Sequence, residues 1–168
     1  MSRGSVDIRV ILVVVIVLSA GLLLFSGGSP PATVDSLEEA AKEGNLDDTR
    51  FLLRNGVDPN ERLRFGHTPM HSAAWRGHTD LVRLMLDHGG DPNRRHARSG
   101  ATPLIAATRG NRAGTVAALV QAGADPEIPI TDSSVQCASG VRYSAGSTAM
   151  DIARQSGFDR VLHALKHR

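Results

Sequence analysis

Little in this 168-residue chain is aromatic or sulfur-bearing: it has one cysteine, Cys137, one tryptophan, one tyrosine and four phenylalanines. A single thiol excludes an intrachain disulfide and any zinc site built on paired thiolates, so the fold is held by packing alone. Aromatics at 4% exclude a bulky globular centre, and the 41% of apolar residues must therefore build a core from Ala, Val and Leu. Small apolar side chains suit thin, repeated helical layers. Lysine is scarce too, 2 against 17 arginines, a usage that hints at a GC-rich genome. Also missing are a glycine-rich phosphate loop, a nucleophile elbow and paired carboxylates in a cleft-forming pattern. No catalytic residue is assigned on these grounds. The chain is read as non-enzymatic, with no cofactor and no small-molecule substrate.

Charge is nearly balanced, at a net +2, but unevenly spread. Residues 35–48 carry six acids against Lys42, whereas residues 62–112 carry nine arginines against Asp80, Asp87 and Asp91. A basic middle favours an acidic partner, although such a surface is more often plain solvated face. Nucleic acid is the other partner of basic surfaces. It is not expected here, because the aromatics on which bases stack are almost absent.

One long apolar run exists. Residues 10–25 are interrupted only by Ser19 and Gly21, and as a helix they would span roughly 24 Å, a little short of a hydrocarbon core of about 30 Å. Counting from Ile8 to Gly28, with Arg9 reaching the headgroups, makes the segment long enough. Arg3 and Arg9 precede it, so residues 1–9 are expected in the cytoplasm and the body beyond the membrane. A cleaved signal peptide is the main competing reading, and a buried apolar helix the third. The expected location is a bacterial inner membrane with the domain in the periplasm, or, after cleavage, a soluble periplasmic or secreted protein. Residues 26–33 then read as a solvated linker.

Beyond it the chain repeats. Gly44, Gly77 and Gly110 are 33 residues apart; Asp58-Pro59, Asp91-Pro92 and Asp125-Pro126 recur at 33 and 34; Thr68-Pro69 and Thr102-Pro103 are 34 apart. The best-formed unit reads Gly66-His67-Thr68-Pro69-Met70-His71-Ser72-Ala73-Ala74-Trp75-Arg76-Gly77-His78, followed by Gly100-Ala101-Thr102-Pro103-Leu104-Ile105-Ala106-Ala107 and a weaker Gly146-Ser147-Thr148-Ala149-Met150-Asp151-Ile152-Ala153. This pattern resembles the ankyrin repeat, a β-turn followed by two helices, with Met70 for Leu and Ile105 for His. The resemblance implies an all-α solenoid of about four helix-turn-helix units with β-turn fingers over residues 34–166, behind the N-terminal hydrophobic helix.

Local chemistry agrees with that register. Thr68 and Thr102 can cap helices that begin with proline, and Gly56, Gly89 and Gly123 can close the second helices in the left-handed conformation. Ser36-Leu37-Glu38-Glu39 reads as a capping box opening an acidic, outward-facing first unit. Asp58, Asp91 and Asp125 are turn formers, and Arg160, His163 and Lys166 are expected in solvent. One departure stands out: Asp125 to Thr148 is 13 residues longer than Asp58 to Thr68. The insertion, around 128–145, could be a loose tip or a small hairpin pairing Val135 and Cys137 with Val141 and Tyr143. His67 and His71 have metal-pair spacing, but His67 precedes the helix and the resemblance makes His71 structural, so no metal site is assigned.

Family members bind partners on their finger tips and exposed first-helix faces. Carried over by motif position, that implies Arg64, Phe65, His67, Trp75 and Arg76 from the second unit. The third contributes Arg98, Ser99, Ala101, Thr108 and Arg109, and Arg94, Arg95, His96 and Arg98 form the most basic finger. Trp and Arg most often dominate interface energy, although Trp75 has a plainer reading as packing on its neighbour unit. The expected function is protein binding on the outer side of a membrane, with an acidic-surfaced partner. The alternative is an inhibitor or immunity-type protein that blocks one exported enzyme through the same surface.

Overall fold

The structure is a computed structural model that describes residues 32–132 and 142–166; the apolar segment at 10–25, the linker up to residue 31 and Val135, Cys137 and Val141 lie outside them. The described residues form eight helices and no strand: α1 Val34–Glu43, α2 Leu46–Arg54, α3 Pro69–Arg76, α4 Thr79–Asp87, α5 Pro103–Arg109, α6 Ala113–Gln121, α7 Ala149–Ser156 and α8 Asp159–Lys166. None of these is long and apolar enough to cross a membrane. They pair as α1/α2, α3/α4, α5/α6 and α7/α8, which makes four units. First helices stack on first helices (α1 on α3 on α5 on α7) and second helices on second helices.

The core is the continuous seam between these two rows. Leu37, Ala40 and Ala41 of α1 meet Met70, Ala73 and Ala74 of α3, then Leu104 and Ala107 of α5, then Ile152 and Ala153 of α7. Alanines recur at the tightest positions because a methyl group lets helix backbones approach closely. Leu81, Val82 and Met85 of α4 are buried, as are Val116, Leu119 and Val120 of α6, while Leu84 and Leu86 pack half-buried against them. Arg160, His163 and Lys166 are exposed, as expected.

The caps follow the sequence closely, with one correction. Thr68, Thr102 and Thr148 are extended N-caps, each just before its first helix. Helix α1, however, is capped by Thr33, whose hydroxyl accepts from the Ser36 N–H at 3.2 Å; Ser36 lies inside the helix. Starting three residues earlier, at Val34 rather than Leu37, brings Val34 onto the core, a burial that a cap at Ser36 would forfeit. The acidic face also turns out differently. Glu38 is only 3% exposed, because it shares the inner side of α1 with Leu37 and Ala41.

Fingers are tied to one another through an asparagine ladder that the sequence reading did not single out. Asp58, Asp91 and Asp125 each accept from the backbone N–H two residues on, at 2.8–2.9 Å, as turn formers should. Asn60 then donates to Gly89 O and accepts from Asp91 N–H, at 2.8 and 2.7 Å. Asn93 repeats this with Gly123 O and Asp125 N–H, at 3.1 and 2.7 Å. Glu127 takes the equivalent place in the next turn, so the third finger is not bonded onward in this way. The insertion leaves from an anchored base instead: Ile130 N–H donates to Ser147 O at 3.0 Å, the Ile130 carbonyl accepts from Gly146 N–H at 2.9 Å, and Thr131 N–H donates to Ser99 O at 2.8 Å. Tyr143, 1% exposed, hydrogen-bonds Ser156.

Candidate partner-binding groove

Two glycines decide how closely α3 and α5 can come. Gly77 ends α3 at φ 87°, a left-handed turn that L side chains rarely adopt. Gly110 ends α5 at φ −79°, with the left-handed step moved on to Asn111 at φ 56°. What Gly110 requires is space: a Cβ there would sit 2.3 Å from the Trp75 carbonyl oxygen. That carbonyl accepts from Arg112 Nε at 3.2 Å. The indole is covered by the Arg109 guanidinium, 5.0 Å above the ring centroid, a cation–π distance. Trp75 is thus pinned by the third unit from two sides.

Histidines organise the fingers beside it. His71 is 6% exposed. Its Nδ1 accepts from Thr68 N–H at 3.2 Å and lies 2.9 Å from the Thr68 hydroxyl, and its Nε2–H donates to Ala101 O at 3.0 Å, in the next unit. The structural role implied by the resemblance is therefore what the geometry shows. Burial lowers its pKa to about 4, outweighing the Ala101 hydrogen bond. In the third unit Ile105 cannot make these bonds and is simply buried. In the fourth, Asp151 replaces the ring, accepting from the Thr148 N–H and hydroxyl at 3.0 and 2.8 Å, and these bonds lower its pKa.

His96 sits at the second finger. Its Nδ1 accepts from the N–H groups of Arg98 and Ser99 at 3.1 and 3.3 Å, which places the ring proton on Nε2. Its ring stacks on His67 with centroids 6.2 Å apart and meets His71 edge-on at 6.3 Å. Burial, then the charges of His67, Arg98, Arg109 and Arg62, lowers the pKa of His96.

His67 Nε2 donates to Glu38 Oε1 at 3.0 Å. Ser72 and Lys42 reach the same oxygen at 2.7 and 3.1 Å. Burial opposes the charge on Glu38, yet these three donors outweigh it and hold the carboxyl below its ordinary range. So one acid of α1 locks the first unit onto the second.

Between these parts lies a groove of about 300 Å³ whose walls include Lys42, His67, Trp75, Arg76, His96 and Arg109. Of the residues expected to meet a partner, the structure brings His67, Trp75, Arg76 and Arg109 together here. Arg64 and Phe65 are exposed on the first finger, Phe65 at 68%. Arg98 is exposed outside the groove lining, and Ser99 lies within it. Arg95 is half-buried and donates to Pro129 O at 3.0 Å, bracing the base of the third finger.

Thr108 is a correction: it is fully buried, because α5 lies between α3 and α7 and all but the last of its residues are enclosed. Ala101, at 4%, is likewise inside. Lys42, Ser72 and His96 belong to the groove but were not among the expected contacts. Motif positions treat each unit separately, and these residues converge only through stacking.

Four stacked helix-turn-helix units, fingers joined by hydrogen bonds and a groove on the first-helix side define a repeat protein built to present a surface. The family model of ankyrin repeats (3 copies) matches residues 37–130, more than half of the chain, and the protein belongs to the ankyrin-repeat family. Ankyrin repeats are generally protein–protein interaction modules. No curated protein matches the chain.

Proposed function

We propose that this chain is a non-enzymatic protein-binding module held at the outer side of a bacterial inner membrane by residues 10–25, and that it receives an acidic-surfaced partner in the groove between α3 and α5. The groove is the observation that carries the reading. Trp75 and Arg109, residue types that dominate interface energies, are positioned there by contacts across units and remain half-exposed. The exposed arginines 64, 76 and 98 surround it with positive charge, which would steer an acidic partner before contact.

Trp75→Ala should weaken binding of the captured partner by about 2 kcal/mol, mostly through faster dissociation, as read by biolayer interferometry. Arg98→Glu should instead slow association and reduce its dependence on salt. Arg154→Glu, in the last unit, should change neither. Normal binding by Trp75→Ala, together with loss on deleting residues 128–145, would move recognition to the inserted finger.

Topology has its own test. Alkaline phosphatase fused after Arg168 should be active in intact cells. An inactive fusion, with a fluorescent-protein fusion at the same point glowing in the cytoplasm, would overturn the membrane placement.

A further inference from the structure

The first unit meets the first finger in a second cleft, of about 270 Å³, whose chemistry is the reverse of the groove's. No Asp or Glu lines the groove, whereas Asp35, Glu38 and Glu39 of α1 line this cleft. Against them stand Lys42, already 3.1 Å from Glu38, and the exposed Arg64. One negative charge is left over. Asp35 and Glu39 are exposed. Asp35 makes no ion pair among the described residues, and Glu39 only approaches Lys42, at 3.9 Å.

Two further features point to a ligand. Glu38 lines the cleft with a side chain only 4% exposed. Its three donors all reach Oε1, while Oε2 is buried without a hydrogen-bond partner among the described residues. An enclosed carboxylate oxygen left without a donor is destabilising, and a cation beside it relieves that. Phe65 lines the same cleft and, at 68%, is more exposed than any other large apolar side chain described. The face of an aromatic ring attracts a cation and covers the methylenes that carry it.

We infer that this cleft receives one lysine side chain of the protein partner, its ammonium shared by the carboxylates of Asp35, Glu38 and Glu39 and its stem lying along the Phe65 ring. The inference rests on the protein-binding reading above and adds a second contact to it, since Lys42 and His67 line both the cleft and the groove. The partner's acidic surface then faces the arginines of the second and third units and its lysine the acidic first unit, which fixes its direction across the array. Lysine is favoured over arginine because the acceptors come from three separate carboxylates. An ammonium offers three donors in different directions, whereas a guanidinium is a planar fork matched to one carboxylate. A metal ion is disfavoured, because no group of three or more His, Cys, Asp or Glu among the described residues is arranged to hold one.

The test uses the full-length chain in detergent with its phenylalanine rings carbon-13 labelled. The chain has four phenylalanines, and the ring signal absent from Phe65→Leu belongs to Phe65. A pentapeptide with lysine between glycines, blocked at both ends, should shift that signal with a Kd on the order of 1 mM. The same peptide carrying ε-acetyl-lysine or norleucine should leave it in place. Asp35→Asn combined with Glu39→Gln should weaken the lysine peptide about tenfold, the combined effect of two exposed ion pairs, and added salt should weaken it too. Both positions are exposed, so helicity and Trp75 emission should stay unchanged in this variant.

No shift from the lysine peptide, an equal shift from the acetylated or norleucine peptide, or unchanged affinity in the double variant would each overturn the lysine site. So would tighter binding of the arginine peptide, or calcium moving the signal where lysine does not. The Trp75→Ala measurement on the captured partner decides the protein-binding reading separately, so the two can fail independently.

Discussion

Gly110→Ala should destabilise the array by about 3 kcal/mol, at the upper end of what overpacking costs, and lower its midpoint of thermal unfolding by on the order of 10 °C. Backbone conformation is not the reason. At φ −79° an alanine is unstrained, and by reducing the freedom of the unfolded chain it would by itself stabilise slightly. Proximity decides the sign, since the new methyl group would sit 2.3 Å from the Trp75 carbonyl oxygen. That oxygen belongs to a helix backbone and cannot rotate aside, so α3 and α5 must separate. The Arg112 bond to the same carbonyl and the Arg109 cover on the indole would loosen with them. Gly56→Ala is the informative comparison. There φ is 84° and no atom lies within 4 Å, so only the left-handed penalty of roughly 1–2 kcal/mol applies. A thermal denaturation experiment in which Gly110→Ala melts no lower than Gly56→Ala would refute the close-approach account.

Acid should weaken the fold well before the carboxylates titrate. The ordinary pKa of His71 is 6.5 and burial lowers it to about 4 in the native state. Between these values the unfolded chain binds a proton that the folded chain refuses. Stability therefore rises with pH across this window and is lost as pH falls from about 6.5 towards about 4. At 1.36 kcal/mol per unit the loss from this one ring is about 3 kcal/mol. His96, also lowered, acts in the same direction. Protonation of Nδ1 would remove the acceptor for Thr68 N–H in one case and for two finger N–H groups in the other. Glu38, held below its ordinary range, extends the loss at lower pH, because its contribution is present above the unfolded carboxylate pKa and disappears as that group is protonated.

Urea unfolding at pH 7, 5.5 and 4.5 should show the decline. His71→Ala should already cost about 3 kcal/mol at pH 7, by leaving Thr68 N–H and Ala101 O buried without partners, and its stability should depend less on pH. Equal slopes for wild type and variant would sink the assignment of this effect to His71.

The periodic features were legible in the sequence because each is a local requirement repeated in every unit. Threonine before proline starts a first helix whatever surrounds it. Asp-Pro makes a turn through its own side chain, and His71 and Trp75 occupy fixed positions of the repeat motif. What the comparison of single units could not reveal were relations between units. The Asn60 and Asn93 side chains look like ordinary turn residues until the next finger is stacked 2.7–3.1 Å away. Glu38 looks like solvent-facing charge on an acidic helix until the second unit brings His67, from its finger, and Ser72, from α3, to it.

By itself, then, the sequence determined the class of fold, the register of the four units, the helix starts at Thr68 and Thr102 and the position of the insertion, since all of these follow from spacing, capping and backbone restriction within some 33 residues. Only the tertiary structure decided which of the expected contact residues share one surface. It buried Thr108 between α3 and α7, engaged Arg95 with Pro129, and joined Lys42, His96 and Arg109 to Trp75 and Arg76. The reason is geometric: a side chain's exposure in a stacked array depends on how closely its neighbours' backbones approach, and that distance is set by contacts such as Gly110 against Trp75, which no single repeat contains.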